Sequence, residues 1–148
     1  MDTETVGRLR AVISKLSRQL NASAAGEGLT PSQSSALGLI AGRGPLSLTE
    51  LASLEGLNPT MLSRIVGKLD DARLIRRVPN PADLRAVNVE ITDDGSLINE
   101  RIRAQQAAVV SECVERLPQG QQETLADSLP ALEKLVDELK HRAGQARG

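Results

Sequence analysis

Two helix starts separated by one glycine-bearing turn, then two alternating runs joined by a proline-rich loop, leave few folds open to residues 46–95. Ser47 followed by Glu50 reads as a capping box. In that arrangement the hydroxyl accepts the later residue's N–H and the carboxylate reaches back to the N–H of the cap. With Leu51 and Leu54 turned inward, this start opens a helix that ends at Gly56. Glycine adopts the left-handed conformation that a helix C-terminus needs. Asn58 is placed to cap the next helix and Pro59 to occupy its first position, where the missing N–H would have had no partner in any case.

That next helix, expected over about 59–72, has two faces. Leu62, Ile65, Val66 and Leu69 recur on one side at helical spacing; Thr60, Ser63, Arg64, Gly67 and Lys68 fall on the other. The second face holds hydroxyls, a guanidinium and an ammonium, with no bulky apolar group. These groups reach base edges and phosphates in a major groove. Arg64 is the candidate for a bidentate contact to guanine. Pro59, Thr60 and Ser63 lie near the N-terminal end, where a recognition helix meets bases. Lys68, one turn on, is assigned to phosphate. Taken alone, this face also fits an ordinary solvated helix.

The hairpin that follows narrows the choice. Val78, Val87, Val89 and Ile91 alternate with Arg77, Asn88 and Glu90, as half-buried strands do. Between them Pro79-Asn80-Pro81-Ala82-Asp83-Leu84-Arg85-Ala86 forms an irregular exposed loop. An arginine on a protruding loop fits a narrow A·T-rich minor groove, where the potential is most negative. Asp83, two residues before Arg85, is a candidate ion-pair partner that would fix its direction; an incidental surface pair is the alternative. Thr92 then caps a further helix over Asp93, Asp94 and Gly95. The outline is a winged helix-turn-helix, a fold class mainly α with a small β-wing.

Long amphipathic segments flank this head. Val6, Leu9, Val12, Ile13, Leu16 and Leu20 stripe a first helix that ends within Asn21 to Gly28. Thr30, Pro31 and Gln33 start a second helix, to about Ala41, with Leu37 and Ile40 inward. After Gly95, Leu97, Ile98, Ile102, Val109, Val110, Cys113, Val114 and Leu117 stripe a fifth helix. Leu125, Leu129, Leu132, Leu135, Val136 and Leu139 stripe a sixth, in which Pro130 should introduce a kink or a break. This is more apolar helical surface than a head of about fifty residues covers, and two interleaved copies would bury it. An intramolecular bundle is the alternative. The chain is therefore read as one domain over 1–148, with residues 29–95 as the head and 1–25 and 96–142 as dimerisation helices.

Charge supports the assignment of the head. Residues 60–87 carry six Lys/Arg against three Asp, a local +3 within a chain of net charge −1, whereas residues 93–148 carry seven basic against ten acidic residues. A basic patch on a near-neutral protein suffices for phosphate binding; a randomly solvated surface is the alternative. No apolar run approaches the roughly eighteen residues of a membrane span. The N-terminus, acidic and then basic, lacks the apolar core of a signal peptide. A single cysteine fits a reducing cytoplasm.

In order along the chain, residues 29–95 resemble the MarR family of bacterial transcription regulators. The matching pieces are Leu29-Thr30 with Gln33 and Leu37, then Leu48-Thr49-Glu50-Leu51-Ala52, then Leu62-Ser63-Arg64 and Leu69. Leu74-Ile75-Arg76-Arg77, Asp83-Leu84-Arg85 and Val89-Glu90-Ile91-Thr92-Asp93-Asp94-Gly95 complete the set. The flanking helices match in length and amphipathicity. The resemblance implies a cytoplasmic bacterial homodimer on a pseudo-palindromic promoter site in double-stranded DNA, usually repressing. It places DNA contacts at Ser63, Arg64 and Arg85, with Asp83 orienting the last, and it implies relief by a small phenolic or lipophilic effector or by oxidation.

Some positions depart from the family pattern. Arg73 stands where glycine is usual after the recognition helix, which costs roughly 1 kcal/mol if the backbone there is left-handed. Gly67 lies mid-helix, at about 1 kcal/mol relative to Ala. Leu84 replaces a commonly basic residue. The resemblance implies an effector pocket between the dimer helices and the head, where Leu16, Leu20, Leu37 and Ile40 are the candidates. With no Phe, Tyr or Trp in the chain, such a pocket would suit an aliphatic ligand. Cys113 reads as a buried, inert thiol, and one histidine, His141, with one cysteine gives no metal site. No cofactor is implied. There is no Ser/His/Asp set, phosphate loop or carboxylate pair to support an enzyme. A winged-helix module that binds protein instead of DNA is the alternative.

Overall fold

The computed structural model describes residues 1–22 and 27–145. Its elements are α1 (Thr3–Ala22), α2 (Pro31–Arg43), β1 (Leu46–Ser47), α3 (Leu48–Glu55), α4 (Pro59–Asp71), β2 (Ile75–Pro79), β3 (Val87–Ile91), α5 (Asp93–Glu115) and α6 (Gln119–Gln145). The chain divides into two compact units, one up to Ala107 and one from Ala108 onward. Part of the expected end of the first helix, residues 23–26, lies outside the described residues.

The helix starts form where the capping chemistry puts them. The Thr30 hydroxyl accepts from the Gln33 N–H at 3.2 Å and the Gln33 side chain accepts from the Thr30 N–H at 3.1 Å, a complete capping box. Ser47 forms only half of one. Its hydroxyl accepts from the Glu50 N–H at 3.1 Å, while no hydrogen bond returns from the Glu50 carboxylate, so the expected box is corrected to a simple N-cap. Asn58 Oδ1 accepts from the Met61 N–H at 2.9 Å, with Pro59 in the first turn. Gly56 ends α3 at φ 67, and α2 continues to Arg43, two residues past the expected end.

The sheet is three-stranded and antiparallel in the order β1-β3-β2. The hairpin pairs Ile75 with Ile91, Arg76 with Glu90, Arg77 with Val89 and Val78 with Asn88. The third strand, β1, is an addition to the expected hairpin and pairs Leu46 with Val89. That pairing places Leu46 against the Val89 row of the core. Ala36, Leu37 and Ile40 of α2, Leu51 of α3, Leu62, Val66 and Leu69 of α4, and Leu74, Ile75 and Val89 complete one buried cluster. At about 1.5–3 kcal/mol for each large aliphatic side chain fully removed from water, this cluster is what holds α4 against the sheet.

The corner between α4 and β2 is tightly built. Arg73 is left-handed, at φ 59. The Thr92 hydroxyl donates to its carbonyl at 2.7 Å and accepts from the Gly95 N–H at 3.1 Å, so one side chain closes this corner and caps α5. Gly95 is buried against the Leu74 carbonyl and Ile91, and a Cβ there would collide with backbone.

The helical flanks bury little within one chain. No residue of α1 is buried, and none is among the described residues of α6. Cys113 is exposed, which corrects the expected buried thiol: on this part of α5 Val109 and Val110 are exposed as well, and Val114 is only half-buried. α6 passes through Pro130 as one helix, so the expected break is absent. One proline removes a single ladder bond, and the helix has 27 residues to supply the others.

Candidate nucleic-acid interface

α4 is held on one side and free on the other. Leu62, Val66 and Leu69 are buried and Ile65 is half-buried. Pro59, Thr60, Ser63, Arg64 and Lys68 are all exposed, and Gly67 is half-buried with open space where a Cβ would stand. The structure therefore places the five recognition-helix candidates on one outward surface. Asp71 shares that side, at the C-terminal end.

The cations of the head fall into two groups. Arg76 on β2 pairs with Glu90 on β3 at 2.5 Å, and Arg77 pairs with Asp70 at the end of α4 at 3.2 Å. Both pairs are substantially solvated and contribute about 0–1 kcal/mol each; they lock hairpin strand to strand and hairpin to helix. Arg64, Lys68 and Arg85 make no ion pair among the described residues. Unpaired positive charge thus stands on the outward face of α4 and on the loop between β2 and β3, and also at Arg43 and Arg73, which make no ion pair among the described residues.

That loop is shaped by its own side chains. Asn80 Oδ1 accepts from the Ala82 N–H at 2.9 Å, and the Asn80 N–H donates to the Ala86 carbonyl at 3.3 Å. Asp83 Oδ1 accepts from the backbone N–H of Arg85 at 3.0 Å. The expected pairing of Asp83 with the Arg85 guanidinium is therefore corrected. Asp83 fixes the turn by an Asx-type bond, and the guanidinium is left to solvent. Leu84 beside it is 87% exposed.

Reading faces by polarity missed one residue of this surface. Met61, in the first turn of α4, is 50% exposed, so the recognition face does carry a large apolar group. Its spacing is the available signal: Met61, Arg64 and Lys68 stand at i, i+3 and i+7, one strip of the helix.

A cleft of about 570 Å³ opens in the same unit, lined by Ser34, Ser35, Asn99, Glu100, Arg103 and Gln106 among others. Leu37 and Ile40, expected in a pocket, are instead closed into the core, because α2 turns its aliphatic face to α4 and the sheet. The Ser35 hydroxyl donates to Glu55 at 2.9 Å across the gap from α2 to α3. Burial pushes the Glu55 carboxyl above its ordinary value, and the Ser35 hydrogen bond opposes this in part. Among the described residues no cluster of three or more His, Cys, Asp or Glu could hold a metal ion, and no helix is long and apolar enough to cross a membrane.

A helix-turn-helix with an exposed cationic recognition face, followed by a hairpin whose loop carries an unpaired arginine, defines a winged helix-turn-helix DNA-binding regulator. Residues 27–86 match the MarR family model. An HTH-type transcriptional regulator of Mycobacterium tuberculosis is 27% identical over 137 residues, covering 93% of this chain and 96% of that protein. The HTH-type transcriptional repressor MdtR of Bacillus subtilis is 26% identical over 103 residues, 70% of this chain and 66% of the relative. The crystal structure of apo MarR from E. coli superposes with a TM-score of 0.71 at 23% identity, covering 94% of this chain and 96% of that one. Over residues 27–86 the chain is thus similar to the MarR family, and the relatives it matches are named as transcriptional regulators.

Proposed function

We propose that this chain is a cytoplasmic repressor that binds a pseudo-palindromic promoter site as a homodimer, one winged head per half-site. The observation that carries this reading is the division of the head's cations. Arg76 and Arg77 are consumed by Glu90 and Asp70, while Arg64, Lys68 and Arg85 remain unpaired on the two elements that would face DNA. In this reading Arg64 takes guanine O6 and N7 in the major groove, assisted by Thr60 and Ser63. Lys68 and the first turn at Pro59 meet phosphate. Arg85 enters the flanking minor groove on the turn that Asp83 holds. Repression is favoured by the relative named as a repressor. The exposed apolar rows of α1, α5 and α6 supply the dimer surface, with residues 1–25 and 96–142 as its helices.

Relief by a small molecule belongs to the same reading. The cleft beside α2 offers hydroxyls, amides, one carboxylate and one guanidinium, so it suits a small hydrogen-bonding effector, phenolic or carboxylic, better than an aliphatic one.

Selection from a random DNA pool, run beside Arg85→Ala, tests the function. An enriched inverted repeat with half-site centres about one helical turn apart is expected. Arg85→Ala should weaken binding to it by roughly 1–3 kcal/mol and relax the flanking A·T preference. A pool that shows only salt-sensitive binding without an enriched sequence would overturn the reading in favour of a head that serves a protein partner.

A further inference from the structure

Outside the helical flanks and the N-terminal methionine, three large apolar side chains are exposed among the described residues: Met61, Leu84 and Val87. All three lie on the recognition helix or the wing hairpin. The rest of the head closes its apolar groups into one core, so their position is selective. Met61 is the one on the helix. Its backbone N–H is fixed by Asn58 at 2.9 Å, and its side chain stands half-exposed one turn before Arg64 and two turns before Lys68.

We propose that Met61 reads the 5-methyl group of a thymine in the major groove, and so sets base preference beside the guanine assigned to Arg64. The proposal rests on the DNA-reading function argued above and adds a residue to it. The major-groove edge of thymine carries one apolar group, and apolar side chains select for it. A thioether suits this task because it is unbranched and polarisable, and it adjusts to an irregular surface. Left in water, Met61 gains nothing from its apolar surface; in the groove it is desolvated against the methyl. The rise from Met61 to Arg64 is about 4.5 Å and base pairs are about 3.4 Å apart. The thymine therefore lies within about two base pairs of the guanine.

The test replaces each thymine of the selected site with uracil, which differs only by that methyl. Wild-type protein is expected to lose roughly fourfold in affinity per half-site at one thymine, the worth of one buried methyl. Met61→Ala should be indifferent to that change while keeping its preference for the guanine, and Met61→Leu should retain most of the response. Alanine is a strong helix former and the site is solvated, so both variants fold. A wild type that tolerates uracil at every position overturns the proposal, as does a Met61→Ala protein with an undiminished uracil penalty. Both results leave the DNA-reading function standing. A pool with no enriched site overturns the two together, and is thereby distinguishable.

Discussion

Arg73 is the one non-glycine residue with a left-handed backbone among those described, and it stands at the corner where the recognition helix hands over to the wing. A Cβ in that conformation costs about 1–2 kcal/mol. The neighbouring hydrogen bonds impose it: the Arg73 N–H donates to the Asp70 carbonyl at 2.9 Å, the Leu74 N–H to the Leu69 carbonyl at 3.0 Å, and the Thr92 hydroxyl holds the Arg73 carbonyl. The guanidinium itself makes no ion pair among the described residues. Arg73→Gly should therefore raise stability. Glycine's larger unfolded-state entropy returns about 0.4–1 kcal/mol of the gain, so a net increase of about 0.5–1 kcal/mol is expected in urea unfolding. Arg73→Ala, which keeps the Cβ, should show no such gain. A destabilised Arg73→Gly would mean that the side chain, rather than the turn, anchors the corner.

At the scale of elements, the helix-turn-helix is tied from behind by the Ser35–Glu55 hydrogen bond between α2 and α3. Burial raises the Glu55 carboxyl above its ordinary value, so the folded state binds this proton more tightly than the unfolded chain does. The group's contribution is fully present below about pH 4.5, its ordinary value, and is lost as pH rises through the raised folded value. Stability should thus fall across that window, and Glu55→Gln should flatten the fall. An identical pH profile in the variant would reject the assignment. The starts of these elements were legible in the sequence because caps are local: Thr30 with Gln33, Ser47, Asn58 with Pro59, and Thr92 each act within three residues. What was not legible is nonlocal or a matter of degree. β1 is two residues long and exists only by pairing with β3, Leu46 against Val89 and Ser47 against Asn88. The aspartate at the wing turned out to hold backbone rather than guanidinium, a choice between two acceptor geometries that spacing does not decide. Met61 sits between the buried row of α4 and its polar side, so a division into one apolar and one polar face left it out of both. Cys113 lies on an apolar row, which points to burial, yet it is exposed, because an apolar row is covered only where something packs on it.

For the whole molecule the open question is what covers the flanks. Leu125, Leu129, Leu132, Val136 and Leu139 on α6 follow spacings of four and three, the alternation of a helical seam. Four of these five are exposed, and Leu132 is half-buried. Pro130, next to Leu129, stands off this row. In the other unit α1 leaves Val6, Val12, Ile13 and Leu16 exposed. Long amphipathic helices draw most of their stability from packing rather than from propensity, so rows of this length call for a partner surface, and a second copy of the chain presents the same rows. Sedimentation equilibrium at micromolar concentration should give twice the 15.8 kDa chain mass. Leu129→Asp combined with Val136→Asp should give monomers. Each lost aliphatic contact costs about 1.5–3 kcal/mol, and a two-fold interface counts every substitution twice. The dimer is therefore expected to weaken by at least about ten-thousandfold. The monomer should retain its far-ultraviolet circular dichroism from the head yet lose the affinity that two joined half-sites confer. A wild type that sediments as a monomer would remove the dimer from the proposed function. A double variant that remains dimeric at unchanged strength would move the interface off α6, onto the rows of α1 and α5.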